Sequence, residues 1–93
     1  MALYKGIEDL RGIDVCEQFY QSVYDLIQTT DDIVLDFSNI KYISSTGIGK
    51  LMKLNDELAS KNKTIKVVNI SGGMRRILTQ IDAIDLLTHF NFD

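Results

Sequence analysis

At 93 residues, with 45% hydrophobic and 25% charged side chains, the chain has room for one small domain with a thin core and none for a second lobe. Thirteen acidic residues against ten basic ones give a net charge of −3, which lacks the basic footprint of nucleic-acid and anionic-membrane binders. A single cysteine, Cys16, and a single histidine, His89, exclude an internal disulfide and a four-ligand zinc site, so the sequence predicts a reduced, metal-free and cofactor-free cytoplasmic domain spanning residues 1–93.

Residues 2–13 hold at most one short edge strand or a tight pair around Gly6. No apolar core of the secretory type appears there, and no run anywhere approaches the ~20 residues needed for direct membrane insertion. From Val15, the residues Cys16, Phe19, Tyr20, Val23, Leu26 and Ile27 recur at three- and four-residue steps, which predicts an amphipathic helix ending near Thr29 to Asp32. Ile33-Val34-Leu35-Asp36-Phe37 is apolar, rich in β-branched residues and too short for a helix. Such a run predicts a strand covered on both faces, as in a parallel sheet. Ser44-Ser45-Thr46-Gly47 then supplies hydroxyls favoured at helix N-caps, and Ile48, Leu51, Met52, Leu54 and Leu58 continue as a helix of about four turns.

Lys61-Asn62-Lys63 interrupts that stripe, and Thr64 to Ile70 reads as the next strand. Ser71-Gly72-Gly73 is a turn, and Met74, Ile77, Leu78 and Ile81 mark a third, short helix with Arg75, Arg76 and Gln80 on its wet side. The tail Leu86-Leu87-Thr88-His89-Phe90 reads as a last strand. The alternation predicts an α/β domain with right-handed crossovers, a mixed or parallel sheet of four to five strands and about three helices. The loops at 40–47 and 69–74 should then emerge together at the carboxyl edge of the sheet.

Three hydroxyls at one helix start favour an added negative charge, because free amides and the helix dipole point there. An ordinary N-cap accounts for one of them. Gly47 and Gly49 in the first turn each cost ~1 kcal/mol relative to alanine, and no Glu or Gln follows at the spacing of a capping box. A sequence selected only for helix stability would look different. Asp36 lacks a partner carboxylate and reads as a solvated or loop-bracing residue, Asp31-Asp32 as a solvated turn, and Cys16 as buried packing. Ser71-Gly72-Gly73 is chiefly turn chemistry, and Arg75-Arg76 the solvated face of a helix. Serine hydrolysis needs a base, and the single histidine lies near the chain end, so no catalytic set emerges.

Ile33 to Leu51, reading IVLDFSNIKYISSTGIGKL, closely resembles the strand, loop and helix start of STAS domains, specifically the bacterial anti-sigma factor antagonists. The family pattern Met-Asp-Ser-Ser/Thr-Gly-Leu-Gly falls on Ile43-Ser44-Ser45-Thr46-Gly47-Ile48-Gly49, with Ser44 where aspartate is usual. Val67 to Leu78 is similar to the family's next strand, Ser-Pro turn and short helix, with Gly72 in the proline's place. Leu10-Arg11-Gly12-Ile13-Asp14 is similar to its Leu-x-Gly-Glu-Leu-Asp lead-in. The resemblance implies a small STAS-like domain, shortened at both ends, with Ser45 as phosphoacceptor and Ser44, Thr46, Gly47, Ile48 and Asp14 as partner-binding residues. It implies a non-enzymatic switch that binds an anti-sigma factor acting as a serine kinase of the histidine-kinase-like ATPase fold, is reset by a serine phosphatase, and is a monomer or weak homodimer. The alternative within the family is an unphosphorylated scaffold subunit of a bacterial ABC-type lipid-transport or other signalling assembly.

Overall fold

The computed structural model describes residues 1–92. Its elements are β1 (Ala2–Lys5), α1 (Ile13–Thr29), β2 (Ile33–Asp36), α2 (Ser45–Ser60), β3 (Ile65–Val68), α3 (Gly72–Gln80), α4 (Ala83–Leu86) and β4 (Phe90–Phe92). The four strands lie in the order β1-β2-β3-β4, and every pair is parallel. Sequence and structure therefore agree on an α/β sheet, resolved here as purely parallel with four strands.

Each strand lies beside the one before it, so successive right-handed crossovers step in one direction and put every helix over the same face. The strand burial follows. Ile33 and Leu35 of β2, Ile65 and Val67 of β3 and Phe90 of β4 point under the helices and are buried. The alternate positions, Leu3, Val34, Lys66 and Asn91, share one register row on the other face, where Leu3 is 59% exposed. This corrects the expectation of a strand covered on both faces. A four-residue apolar run has the same composition whether one or two of its faces are covered.

Helices α1 and α2 run side by side in the same direction, tied near their starts by the Lys50 ammonium on Glu17 (2.6 Å) and near their ends by the Gln28 amide donating to Glu57 (2.7 Å). Cys16, Phe19, Val23 and Ile27 of α1 and Leu51, Leu54 and Leu58 of α2 form the buried stripes that the spacing predicts. Lys63 closes the far end of α1. Its ammonium donates to the carbonyls of Ile27 (2.6 Å) and Thr30 (3.1 Å), orphan acceptors of the last helical turn.

The end of the chain departs from expectation. Residues 86–90 are not one strand, because α4 occupies Ala83–Leu86 and β4 begins only at Phe90. Asp82 in the left-handed region (φ 57°) turns the chain after α3, so that Ala83 and Leu87, one helical turn apart, enter the core while Leu86 faces solvent. Ile81, assigned from spacing to the α3 stripe, lies beyond the last residue of α3 and is exposed for the same reason. Among the described residues the helices thus number four, the fourth a single turn.

Candidate functional site

The carboxyl edge of a parallel sheet is where helices begin, and here the starts of α1 and α2 are zipped together. Leu10 and Ile43 form an isolated parallel bridge, with the Leu10 amide on the Tyr42 carbonyl (3.1 Å) and the Ser44 amide on the Leu10 carbonyl (2.8 Å). That pairing brings Gly12, the N-cap of α1, beside the first residues of α2. The loop between β3 and α3 closes the other side, where the Ser71 hydroxyl donates to the Ile40 carbonyl (3.3 Å). The loops at 40–47 and 69–74 do emerge together.

The three adjacent hydroxyls divide their roles by position. Ser44 is the N-cap of α2, with extended backbone and its Oγ accepting from the Gly47 amide (3.3 Å). Aspartate performs the same capping, so serine at this place of the family pattern keeps the local geometry. Ser45 and Thr46 are the first two helical residues and are exposed. Their own backbone amides have no partner among the described residues, as helix geometry requires of a first turn. Ser45 therefore sits in solvent on a helix N-terminus and is not used for capping. The nearest thiol, Cys16, is buried beneath, its Sγ 3.9 Å from the Ser44 Oγ.

Asp14 is exposed in the first turn of α1, and Ile48 is half-buried one turn into α2. Gly47 is placed differently from Ser45 and Thr46: it is buried, and a Cβ there would lie 2.7 Å from Ile43 Cγ1 and 3.2 Å from Leu10 Cβ. Its small size answers to packing inside the domain, on the Leu10–Ile43 bridge that holds the two helix starts together. Gly49, by contrast, faces open space. Gly47→Ala is expected to destabilise the domain by about 1–3 kcal/mol through overpacking, whereas Gly49→Ala should stabilise it by up to ~1 kcal/mol from helix propensity. Urea melts of both variants check the opposite signs.

Asp9 shapes the loop leading to Ser44. Its carboxylate accepts from the backbone amides of Lys41 (2.7 Å) and Tyr42 (3.3 Å) and pairs with Arg11 (3.5 Å), whose guanidinium stacks 4.2 Å over the Tyr42 ring. The Lys41 amide, chiefly, holds the Asp9 carboxyl below its usual range, with the Tyr42 amide and Arg11 adding to it. A lowered folded value stabilises the fold at every pH above the ordinary carboxylate range, and this support is lost as pH falls through the lowered value. Asp9→Asn is therefore expected to lower the urea midpoint at neutral pH and to flatten the acid decline relative to wild type. A pH series of melts on the two proteins checks it.

Other candidates prove structural. Asp36 accepts from the Ser38 amide (2.9 Å) and the Asn69 side chain (3.2 Å), which lower its carboxyl and make it a loop brace, the second of the two roles its sequence position leaves open. Arg76 is exposed and Arg75 half-buried. His89 precedes β4 and so lies at the amino edge of the sheet, opposite Ser45, where its ring Nδ1 meets the Lys63 carbonyl (3.0 Å). No three His, Cys, Asp or Glu side chains converge as metal ligands among the described residues, and no helix in them is long and apolar enough to cross a membrane. What sequence reasoning missed is the exposed apolar rim of the site, Ile7, Ile13 and Tyr42, together with the Asp9 brace. The isolated apolar residues outside any stripe, Ile7 and Ile13, were the available signal for the rim.

Comparison with known proteins agrees with this architecture. A crystal structure of a sulfate transporter family protein from Wolinella succinogenes superposes with a TM-score of 0.77 at 19% identity, covering 99% of this chain and 75% of that one. The crystal structure of TM1081, a candidate anti-sigma factor antagonist from Thermotoga maritima, gives 0.74 at 18% identity, over 98% of this chain and 79% of that one. The solution structure of TM1081 gives 0.75 at 18% identity, over 98% and 71%. At such identities the likeness shows the fold. No curated protein matches the sequence at a significant level. The sequence profile of the family described as "Mlab, STAS domain" matches residues 11–88, a span that runs from just after Leu10 through α4, and the chain belongs to the STAS domain family.

Proposed function

We propose that this domain is a phosphorylation-controlled partner switch, an anti-sigma factor antagonist, and that Ser45 is its phosphoacceptor. The observation that carries the reading is the exposed Ser45 hydroxyl on the first turn of α2 while Ser44 alone does the capping. Unmodified, the surface of Ser44, Ser45, Thr46, Ile48 and Asp14, with the apolar rim of Ile7, Ile13 and Tyr42, binds an anti-sigma serine kinase of the histidine-kinase-like ATPase fold. Gly47 supports that surface from below. Phosphate on Ser45 adds about −1.5 to −2 charges where two unpartnered amides and the helix dipole tolerate it, so the domain keeps its fold. The same charge inside a contact surface is desolvated and repels the partner, so the complex dissociates until a serine phosphatase removes the group. The protein acts by binding and performs no chemistry itself. Its cytoplasmic location follows from that partner.

A second reading, an unphosphorylated scaffold subunit of an ABC-type lipid-transport or other signalling assembly, uses the same surface with its hydroxyl unmodified. Two observations favour it: the matching family's description names a STAS domain without a sigma-factor role, and one structural neighbour is described as a sulfate transporter family protein.

Incubation with ATP and the serine kinase that co-purifies with the protein is expected to add one phosphate to wild type and none to Ser45→Ala. Ser45→Asp should weaken the kinase complex by at least about tenfold in calorimetry, with Ser45→Ala close to wild type. An unchanged mass in wild type, with a transport ATPase as the captured partner, selects the second reading.

A further inference from the structure

We propose that β1 is an interface between two copies of this chain, which join edge to edge and antiparallel into one continuous sheet with four strands from each copy. The reading is independent of Ser45, which lies at the start of α2 away from the free side of β1.

The free edge is set by hydrogen bonding. The Ala2 amide donates to the Asp32 carbonyl (2.7 Å) and the Gly6 amide to the Asp36 carbonyl (3.0 Å), so the even residues of β1 are turned toward β2. The amide and carbonyl groups of Leu3 and Lys5 then point outward, a template for another strand. Of the residues on this edge that alternate with the buried ones, Met1 is 85% and Leu3 59% exposed, and Lys5 is exposed with them. Above the edge, the flank of α1 that covers Tyr4 is built from Val15, Gln18, Phe19 and Ser22, and Glu8 is the charged residue that shares this lining. Two copies of net charge −3 repel at long range, so attraction at this side has to come from opposite charges on the edge itself, Lys5 and Asp32.

A second copy also matches the edge in register and charge. Antiparallel pairing centred on Leu3 sets Leu3 opposite Leu3 and Met1 opposite Lys5, so that residues with outward-facing amides meet in hydrogen-bonded pairs. The register of β1 on β2, with Ala2 beside Ile33, puts Met1 next to Asp32 on the bare face of the sheet. Lys5 lies on that same face beside the Asp36 of its own copy, and on pairing its ammonium turns over the second copy's Met1 toward the second copy's Asp32. Two such pairs form by symmetry, and no like charges are opposed. A strand of four residues with one helix flank buries less than the ~800 Å² per partner of a stable complex, so the dimer is weak and concentration-dependent.

Sedimentation velocity on the full chain, from micromolar to millimolar concentration, tests this. Wild type is expected to shift reversibly from monomer to dimer. Leu3→Arg, which opposes two cations at the symmetric position, should raise the dissociation constant by about tenfold. Lys5→Glu and Asp32→Lys should each weaken the dimer, and the double variant should recover it. Leu3→Cys, at an exposed position that the fold does not need filled, should form a symmetric disulfide under mild oxidation. A monomer throughout the range, a dimer indifferent to Leu3→Arg, or a double variant no better than the single ones would overturn the proposal.

Discussion

Phe19→Ala is expected to cost about 3–5 kcal/mol, a third or more of what a domain of this size has to lose. Phe19 is buried on α1, with ring centroids 5.7 Å from Tyr4 and 6.1 Å from Phe37, so it joins β1 to the segment following β2. It also walls a cavity of about 60 Å³ shared with Tyr4, Ile7, Leu10 and Ile40. Removing the ring enlarges that void, and the shell of β-branched and aromatic neighbours has little freedom to collapse into it. Urea denaturation followed by circular dichroism should show an unchanged slope and a large fall in midpoint. Phe19→Leu should recover about half of the loss. A fall under ~1 kcal/mol for the alanine variant would mean that the α1 stripe is not the anchor described here.

Asn55→Ala is expected to cost about 2–3 kcal/mol and to lower the melting temperature by roughly 8–20 °C. Asn55 is the one buried polar side chain among the described residues, and both ends of its amide are used. Its carbonyl oxygen accepts from the His89 backbone amide (2.8 Å), and its NH2 donates to the Leu86 carbonyl (3.3 Å). The residue therefore fastens α2, the helix that presents Ser45, to the segment that threads β4 into the sheet. Alanine leaves the His89 amide and the Leu86 carbonyl without the partners that Asn55 supplies. Asn55→Asp retains the acceptor for His89 but sets a buried carboxylate against the Leu86 carbonyl oxygen, so its stability should fall at least as far as that of the alanine variant at neutral pH. Thermal melts of the three proteins check the order, and an alanine variant as stable as wild type would remove the fastening role.

Helices were legible where a buried stripe runs long enough to repeat, as from Cys16 to Ile27 and from Leu51 to Leu58. The start of α2 was legible because a run of hydroxyls ahead of such a stripe has few other uses. The division of labour among Ser44, Ser45 and Thr46 was not, since any of the three makes a cap and only the coordinates place the helix start. Gly47 stands out in the sequence as a cost to the helix start, but its reason, the Ile43 and Leu10 side chains already occupying that space, is one the sequence does not show. The Asp9 brace joins residues thirty-two positions apart, a pairing that no local pattern encodes. The last strand was misplaced for a similar reason: Asp82 adopts a left-handed turn that glycine or asparagine would have announced more plainly.

The β1-β2-β3-β4 order has a consequence for how the molecule comes to exist. As the ribosome extrudes the chain, each new strand finds its hydrogen-bonding neighbour already made and never waits for a later one, which keeps loop closure short. Assembly can proceed vectorially from the amino terminus, with the youngest strand always at the growing margin. Until Phe90–Phe92 emerges that margin is β3, so nascent chains that stop short of it should hold α1 against α2 yet stay sticky.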